Sequence, residues 1–402
     1  LASTQVKGLS TAQIAALTTA QMAGLGTAQI NALSSTQIAG MTTAQLGQFS
    51  TAQLAGIATA AVKGITTAQL AALTTAQITG LTTAQVAALA TGQLAAIETA
   101  DLAAMTTAQL RALSSGQAAA LTTAQIANLT TTQAAGLAAA QLAGITSAQA
   151  GALTTAQLAA LSSAQLAALS TGAVRGLTTA GIVALDTAQI KGLSSTQIAA
   201  LATAQVAAIE TADLAAMTTA QLPGFTTAAI AAMTTAQVAG LSTAQLRALS
   251  SAQAPALTTA QIAALTTAQV PGLGATQLGA MASAQIAAFS TAQYGQFSTA
   301  QIAAISTAAL RGLETADLVA LSTDQVKGFT TAQVAALTTA QLAAMETADV
   351  AALTTTQLRA LASSQMPGLT TAQIANLATA QIAGLASTQV KGLSTAQIAA
   401  LT

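Results

Sequence analysis

Leu257–Ala264 reads LTTAQIAA, and variants of the same eight residues run without a break from Leu1 to Leu401. Every eighth position is Leu, Ile, Met or Phe, with no slip of phase across fifty octads. A fixed short period of this kind marks a solenoid, in which each unit packs only on its neighbours. Counting the large apolar residue as position 1, position 6 is the second apolar site, as at Ile14, Leu54, Val86 and Ile398. It falls to Ala only at Ala118, Ala134, Ala150 and Ala254. Position 3 is Thr or Ser everywhere except Ala139 and Ala275; position 5 is usually Gln, and position 8 mostly Ala or Gly.

The apolar sites thus alternate spacings of five and three. On an unbroken α-helix, at about 100° per residue, the apolar face would rotate by about 80° per octad and leave any single core. On a straight strand both spacings are odd, so positions 1 and 6 would face opposite ways. The chain must turn once per octad. Ala, Gln and Leu are strong helix formers, whereas Ala is depleted in strands. Thr-Thr-Ala-Gln matches a capping box, with the position-2 hydroxyl as N-cap and the position-5 Gln reaching back. Gly at position 8, as at Gly24, Gly64, Gly144, Gly240 and Gly392, suits a left-handed residue that ends a helix. The expected fold class is all-α, a solenoid of one- to two-turn helices with one helix per octad.

Two features resist that expectation. Pro223, Pro255, Pro271 and Pro367 all stand at position 7, where a longer helix needs the backbone N–H. The hydroxyl at position 3 is also kept more strictly than the proposed cap at position 2. The rival is a β-solenoid, with Leu and Ile inside and Thr and Gln stacked in ladders between coils.

Composition excludes several functions. Ten Lys and Arg cancel ten Asp and Glu, and charged residues are 5% of the chain, so no basic face exists to neutralise phosphates. Aromatics at 1% leave no platform for stacking bases, and no nucleic-acid partner is expected. The absence of Cys and His removes disulfides, thiolate and imidazole chemistry, and the usual zinc and haem ligands. A mean hydropathy of +0.63 invites a membrane reading. Thr, Ser and Gln nevertheless interrupt every apolar run well short of the roughly 18 residues that a membrane-spanning helix needs, so no membrane span is expected. No phosphate-binding loop or Ser-His-Asp set occurs, and the many hydroxyls have no base to activate them. The expectation is a protein that is not an enzyme, with no catalytic residues, no cofactor and no metal site.

The few charges are placed by rule. All ten bases occupy position 7 (Lys7, Lys63, Arg111, Arg175, Lys191, Arg247, Arg311, Lys327, Arg359 and Lys391), which marks that position as outward-facing. The acids form four E-T-A-D octads, Glu98/Asp101, Glu210/Asp213, Glu314/Asp317 and Glu346/Asp349, with Asp186 and Asp324 besides. Paired carboxylates can serve as acid and base or as calcium ligands. With no D-x-D-x-D-G loop present, the expectation is that Glu and Asp replace the capping Thr and Gln at exposed positions, favoured by the helix dipole. Tyr294, flanked by Phe289 and Phe297, replaces a position-6 aliphatic and is expected to pack in the core.

The run LTTAQIAALTTAQV at 257–270, repeated in kind throughout, resembles the TTAQ-type octapeptide arrays of large bacterial surface or secreted proteins, often called adhesin-like. That resemblance implies a non-enzymatic structural segment, a stalk, spacer or filament body, at an extracellular or cell-surface location. Residues 1–402 are expected to form one continuous repeat domain. Residues 1–18 recur identically at 385–402, so both ends lie inside the pattern and the chain reads as a piece of a longer array. An alternative is a regular-surface binding module, for ice or adhesion, that uses the Thr-rich face. The weakly charged Ala- and Gln-rich surface also suggests lateral self-association.

Overall fold

A computed structural model describes residues Leu1–Leu401 and resolves each octad into a short helix and an extended corner. In Thr259–Ala263 the preceding Thr258 is extended (φ −73°, ψ 159°) and its hydroxyl accepts the Gln261 N–H. The Gln261 Oε1 in turn accepts the Thr258 N–H at 2.7 Å, which closes the capping box. At the other end, Leu89 after Thr83–Ala88 is extended (φ −60°, ψ 139°), so positions 1 and 2 together form the corner. Forty-four α-helical and six 3₁₀ segments follow one another in this way, and no strand occurs among the described residues. The fold is an all-α solenoid. The hydroxyl that caps is the one at position 2, and each such cap stabilises its helix by about 1 kcal/mol.

The four prolines cease to be anomalous. Each lies in a 3₁₀ segment, Leu222–Gly224, Ala254–Ala256, Val270–Gly272 and Met366–Gly368. These segments are too short to require the missing N–H.

The expectation of a left-handed closing glycine is wrong. No residue with positive φ, glycine included, occurs among the described residues. Gly24, for example, is right-handed helical at φ −80° and ψ −2°. The chain leaves each helix through its two extended corner residues, so no reversal of helical sense is needed. Gly at position 8 answers instead to close approach between coils. A Cβ on Gly192 would lie 2.8 Å from the Cβ of Ser163, in the preceding coil, and 3.0 Å from its carbonyl oxygen.

Coil geometry follows from which octads meet. Helices three octads apart pack side by side, as Ser147–Ala152 does on Thr171–Gly176. Hydrogen bonds between coils span 28 to 31 residues, so one turn of the coil takes between three and a half and four octads. Positions 1 and 6 fill the inside: Leu158 is wholly buried and Leu161 is 3% exposed. Burial of two such side chains contributes about 1.5–3 kcal/mol each, and this outweighs the cap as the source of stability. The described chain divides into two units, Leu1–Ala208 and a second from Ile209 onward. The octad phase of the sequence is unbroken where they adjoin.

Candidate functional site

Position 5 is more than a capping partner. Within each unit, and from Gln29 onward in the first, the glutamine amide also reaches the coil beneath it, as Gln29 does at the Leu1 carbonyl. Gln157 accepts the Thr154 N–H through Oε1 at 2.8 Å. Through Nε2 it donates to the carbonyls of Ile126 (2.9 Å), Ala127 (3.3 Å) and Leu129 (2.6 Å). The same set recurs at Gln197 with Leu166, Ala167 and Leu169. It recurs again in the second unit at Gln261 with Ile230, Ala231 and Met233. One amide therefore closes its own helix and ties it to carbonyls that end a helix of the previous coil. Those carbonyls sit where the chain turns and have few alternative partners, so leaving one unpaired costs about 1–3 kcal/mol. The first glutamines have no coil beneath them; Gln13 makes the cap bond alone.

Nine octads lack the glutamine, and its substitutes are only Ala, Gly or Asp. The four Asp octads are the acidic ones. Here the expected substitution of one cap by another fails. Glu98, Glu210 and Glu346 accept no capping hydrogen bond. Asp is one methylene shorter than Gln; Asp317 still reaches back, accepting the Glu314 N–H at 3.3 Å. Nor are the aspartates exposed. Asp101 is 5% and Asp349 2% exposed, packed against the coil that precedes them. The Thr75 hydroxyl donates to Asp101 Oδ1 at 2.6 Å, and the Thr323 hydroxyl lies against Asp349.

Burial holds the Asp349 carboxyl above the usual carboxylate range; the Thr323 hydroxyl opposes this and the Glu346 charge adds to it. Burial likewise raises Asp317. A carboxyl whose folded pKa is raised favours the fold in its protonated form. That stability is fully present below the unfolded value of about 3.9 and is lost as pH rises through the folded pKa. Thermal midpoints of wild type and Asp349→Asn in calcium-free buffer should therefore diverge as pH rises from 3 to 7, with Asn the more stable at pH 7. A gap independent of pH would contradict the burial of an ionised Asp349.

Tyr294 packs as expected, wholly buried with its ring 6.0 Å from Phe289 and 5.3 Å from Phe297. Its hydroxyl also donates to the Ile286 carbonyl at 2.5 Å. Ile286 stands to Asp317 in the same register as Ile126 to Gln157, so Tyr294 supplies the donor that a glutamine at 317 would have given. Burial, together with the Asp317 and Glu314 charges, pushes the phenol well above its ordinary range. All ten bases are exposed, as their position implied. Lys327 and Asp324 meet at 3.1 Å with both side chains in solvent, where screening leaves such a pair little weight.

No group of three or more His, Cys, Asp or Glu side chains suited to a metal ion occurs among the described residues. Among the same residues, no helix is long and apolar enough to cross a membrane. The family model described as the ALTTAQ repeat matches the chain in overlapping segments over residues 1–131, 159–267 and 310–379. No curated protein matches it.

Proposed function

The chain belongs to the ALTTAQ repeat family, and from that premise we propose that it is a non-enzymatic spacer whose reach is set by the number of octads. The observation that carries this is the glutamine bond between coils. A glutamine octad supplies the donor to the coil before it and the acceptors to the coil after it, so such units can be added without a new local solution. The resemblance to bacterial surface arrays supports a place outside the cell, as the stalk or filament body of a secreted or surface protein. A Thr-rich lattice-binding face is less favoured. The position-2 hydroxyls are committed to caps, as Thr234 is to the Gln237 N–H at 3.1 Å. Some position-3 threonines set their methyl close against a glycine of the next coil, as Thr211 does at Gly240, which breaks the regularity of a Thr face.

Small-angle X-ray scattering tests the spacer directly. Excising four whole octads, and then eight, from within the first unit should shorten the maximum dimension by two equal steps. Unequal steps, or no shortening, would rule out additive reach.

A further inference from the structure

We propose that the octad containing Glu346 and Asp349 holds a calcium ion between the Asp349 carboxylate and the helix-end carbonyls of the coil beneath it. In a glutamine octad that place is taken by an amide NH₂ lodged among three carbonyls of the earlier coil, as Gln157 is among Ile126, Ala127 and Leu129. For Asp349 the same register gives Leu318, Val319 and Leu321. Among the described residues no side chain donates to the Leu321 carbonyl, whereas the glutamines supply a donor at its counterparts in the neighbouring octads, as Gln341 does at Leu313 and Gln357 at Phe329. The cage of acceptors persists with its donor gone.

The carboxylate that replaces the amide in this register is itself incomplete. Asp349 is 2% exposed, and its Oδ2 is buried without a hydrogen-bond partner. Losing one methylene withdraws the side-chain tip by about 1.5 Å, a C–C bond length. By the register of the glutamine octads, the carboxylate then stands on the side of those carbonyls with no donor between the two sets of oxygens. Such a set of hard oxygens is what calcium takes, at about 2.3–2.6 Å.

The sequence carries an independent sign. All four glutamates of the chain stand at position 2 of an octad whose position 5 is Asp. Like charges three residues apart disfavour each other, and Glu346 gains no cap hydrogen bond in return. Being exposed, Glu346 can close over the ion as an outer ligand, and the two carboxylates then balance a double positive charge. The octad of Asp317 is differently resolved, since Tyr294 occupies one carbonyl and the Glu314 N–H one carboxylate oxygen.

Equilibrium dialysis of the full chain against about 2 mM calcium chloride, in the range of extracellular calcium modules, provides the test. Asp349→Gln restores the consensus amide and should fold as well as its neighbours while binding one calcium fewer per chain. Calcium should also raise the thermal midpoint of wild type more than that of Asp349→Gln. Magnesium, which demands a tighter octahedral shell, should do less at the same concentration. Equal calcium binding by both proteins, no binding by wild type, or an equal response to magnesium would each overturn the assignment.

Discussion

Replacing Gln157 by Leu is expected to lower hydrogen-exchange protection by roughly 30- to 1000-fold across 126–130 and 154–158, about 2–4 kcal/mol of local stability. Leu keeps an apolar side chain of similar volume, one methylene shorter than Gln, at a site that is 1% exposed, so the polar loss is the larger part of the effect. What disappears is polar. The Leu129 carbonyl loses its donor and stays under the next coil, and the Thr154 N–H loses its acceptor. Gln13→Leu is the matched control. It removes the same cap bond at the same octad position, but Gln13 is exposed and has no carbonyls beneath it. Its effect should stay near the roughly 0.5–1.5 kcal/mol of one ordinary hydrogen bond. Local exchange is the right readout, because a long repeat array need not unfold in one step. Equal losses at residues 13 and 157 would mean that the bonds between coils contribute nothing and that the amide acts as a cap alone.

Helix, corner and cap were legible because each depends on residues within one octad: Thr258 and Gln261 meet across three residues, and their types announce the contact. The coil depends on pairs such as Gln157 with Ile126 and Leu129, and no local rule of capping or periodicity refers to so long a separation. Two signals of it nonetheless lie in the sequence. Position 5 departs from Gln only to Ala, Gly or Asp, never to Glu, Lys or Arg, which a solvent-facing helix position would accept.

The second signal pairs position 3 with position 8, at the offset that separates Ser115 from Gly144. Within each unit, Gly stands at that offset after six of eight position-3 serines but after only nine of thirty-four threonines, which marks it as the coil register. The structure supplies the reason. Opposite Ser115, Ser147 and Ser283, a Cβ on Gly144, Gly176 or Gly312 would strike the serine's own carbonyl. Opposite Thr11, Thr107 or Thr211, the corresponding atom meets the threonine side chain first. Removing the threonine methyl lets the coils close, and the most closely packed helix pairs are these serine and glycine crossings. The acidic octads read as exposed caps for a related reason: the coil that buries their aspartates comes from residues more than three octads away, as Thr75 does for Asp101.

Phase itself gives the second large effect. Four alanines inserted between Gln133 and Ala134 should destabilise the first unit by at least about 4 kcal/mol, whereas a whole extra octad copied from 153–160 and inserted at the octad boundary between Gly136 and Leu137 should change it by less than about 1 kcal/mol. The short insertion falls inside the helix Thr131–Gly136, so it cannot simply extend an exposed corner. If the new residues continue the helix, each glutamine in the next three octads, Gln141, Gln149 and Gln157, faces the wrong backbone. Gln157 would then meet position 2 of an earlier octad instead of the position-6 carbonyl of Ile126. At about 1–3 kcal/mol for each orphaned carbonyl, two or three such octads already reach the stated loss. If the residues are instead expelled as a loop, the helix that carries Ala134 is broken, and its cap, its core contact and the Gln133 bonds to Leu102 and Met105 go with it. Either route is costly. A whole added octad avoids both, because every later glutamine still finds a position-6 and a position-1 carbonyl beneath it, as Gln157 finds Ile126 and Leu129. Urea unfolding followed by far-ultraviolet circular dichroism compares the three proteins. Equal midpoints for the half-octad and whole-octad insertions would show that the octads fold without reference to the coil beneath them.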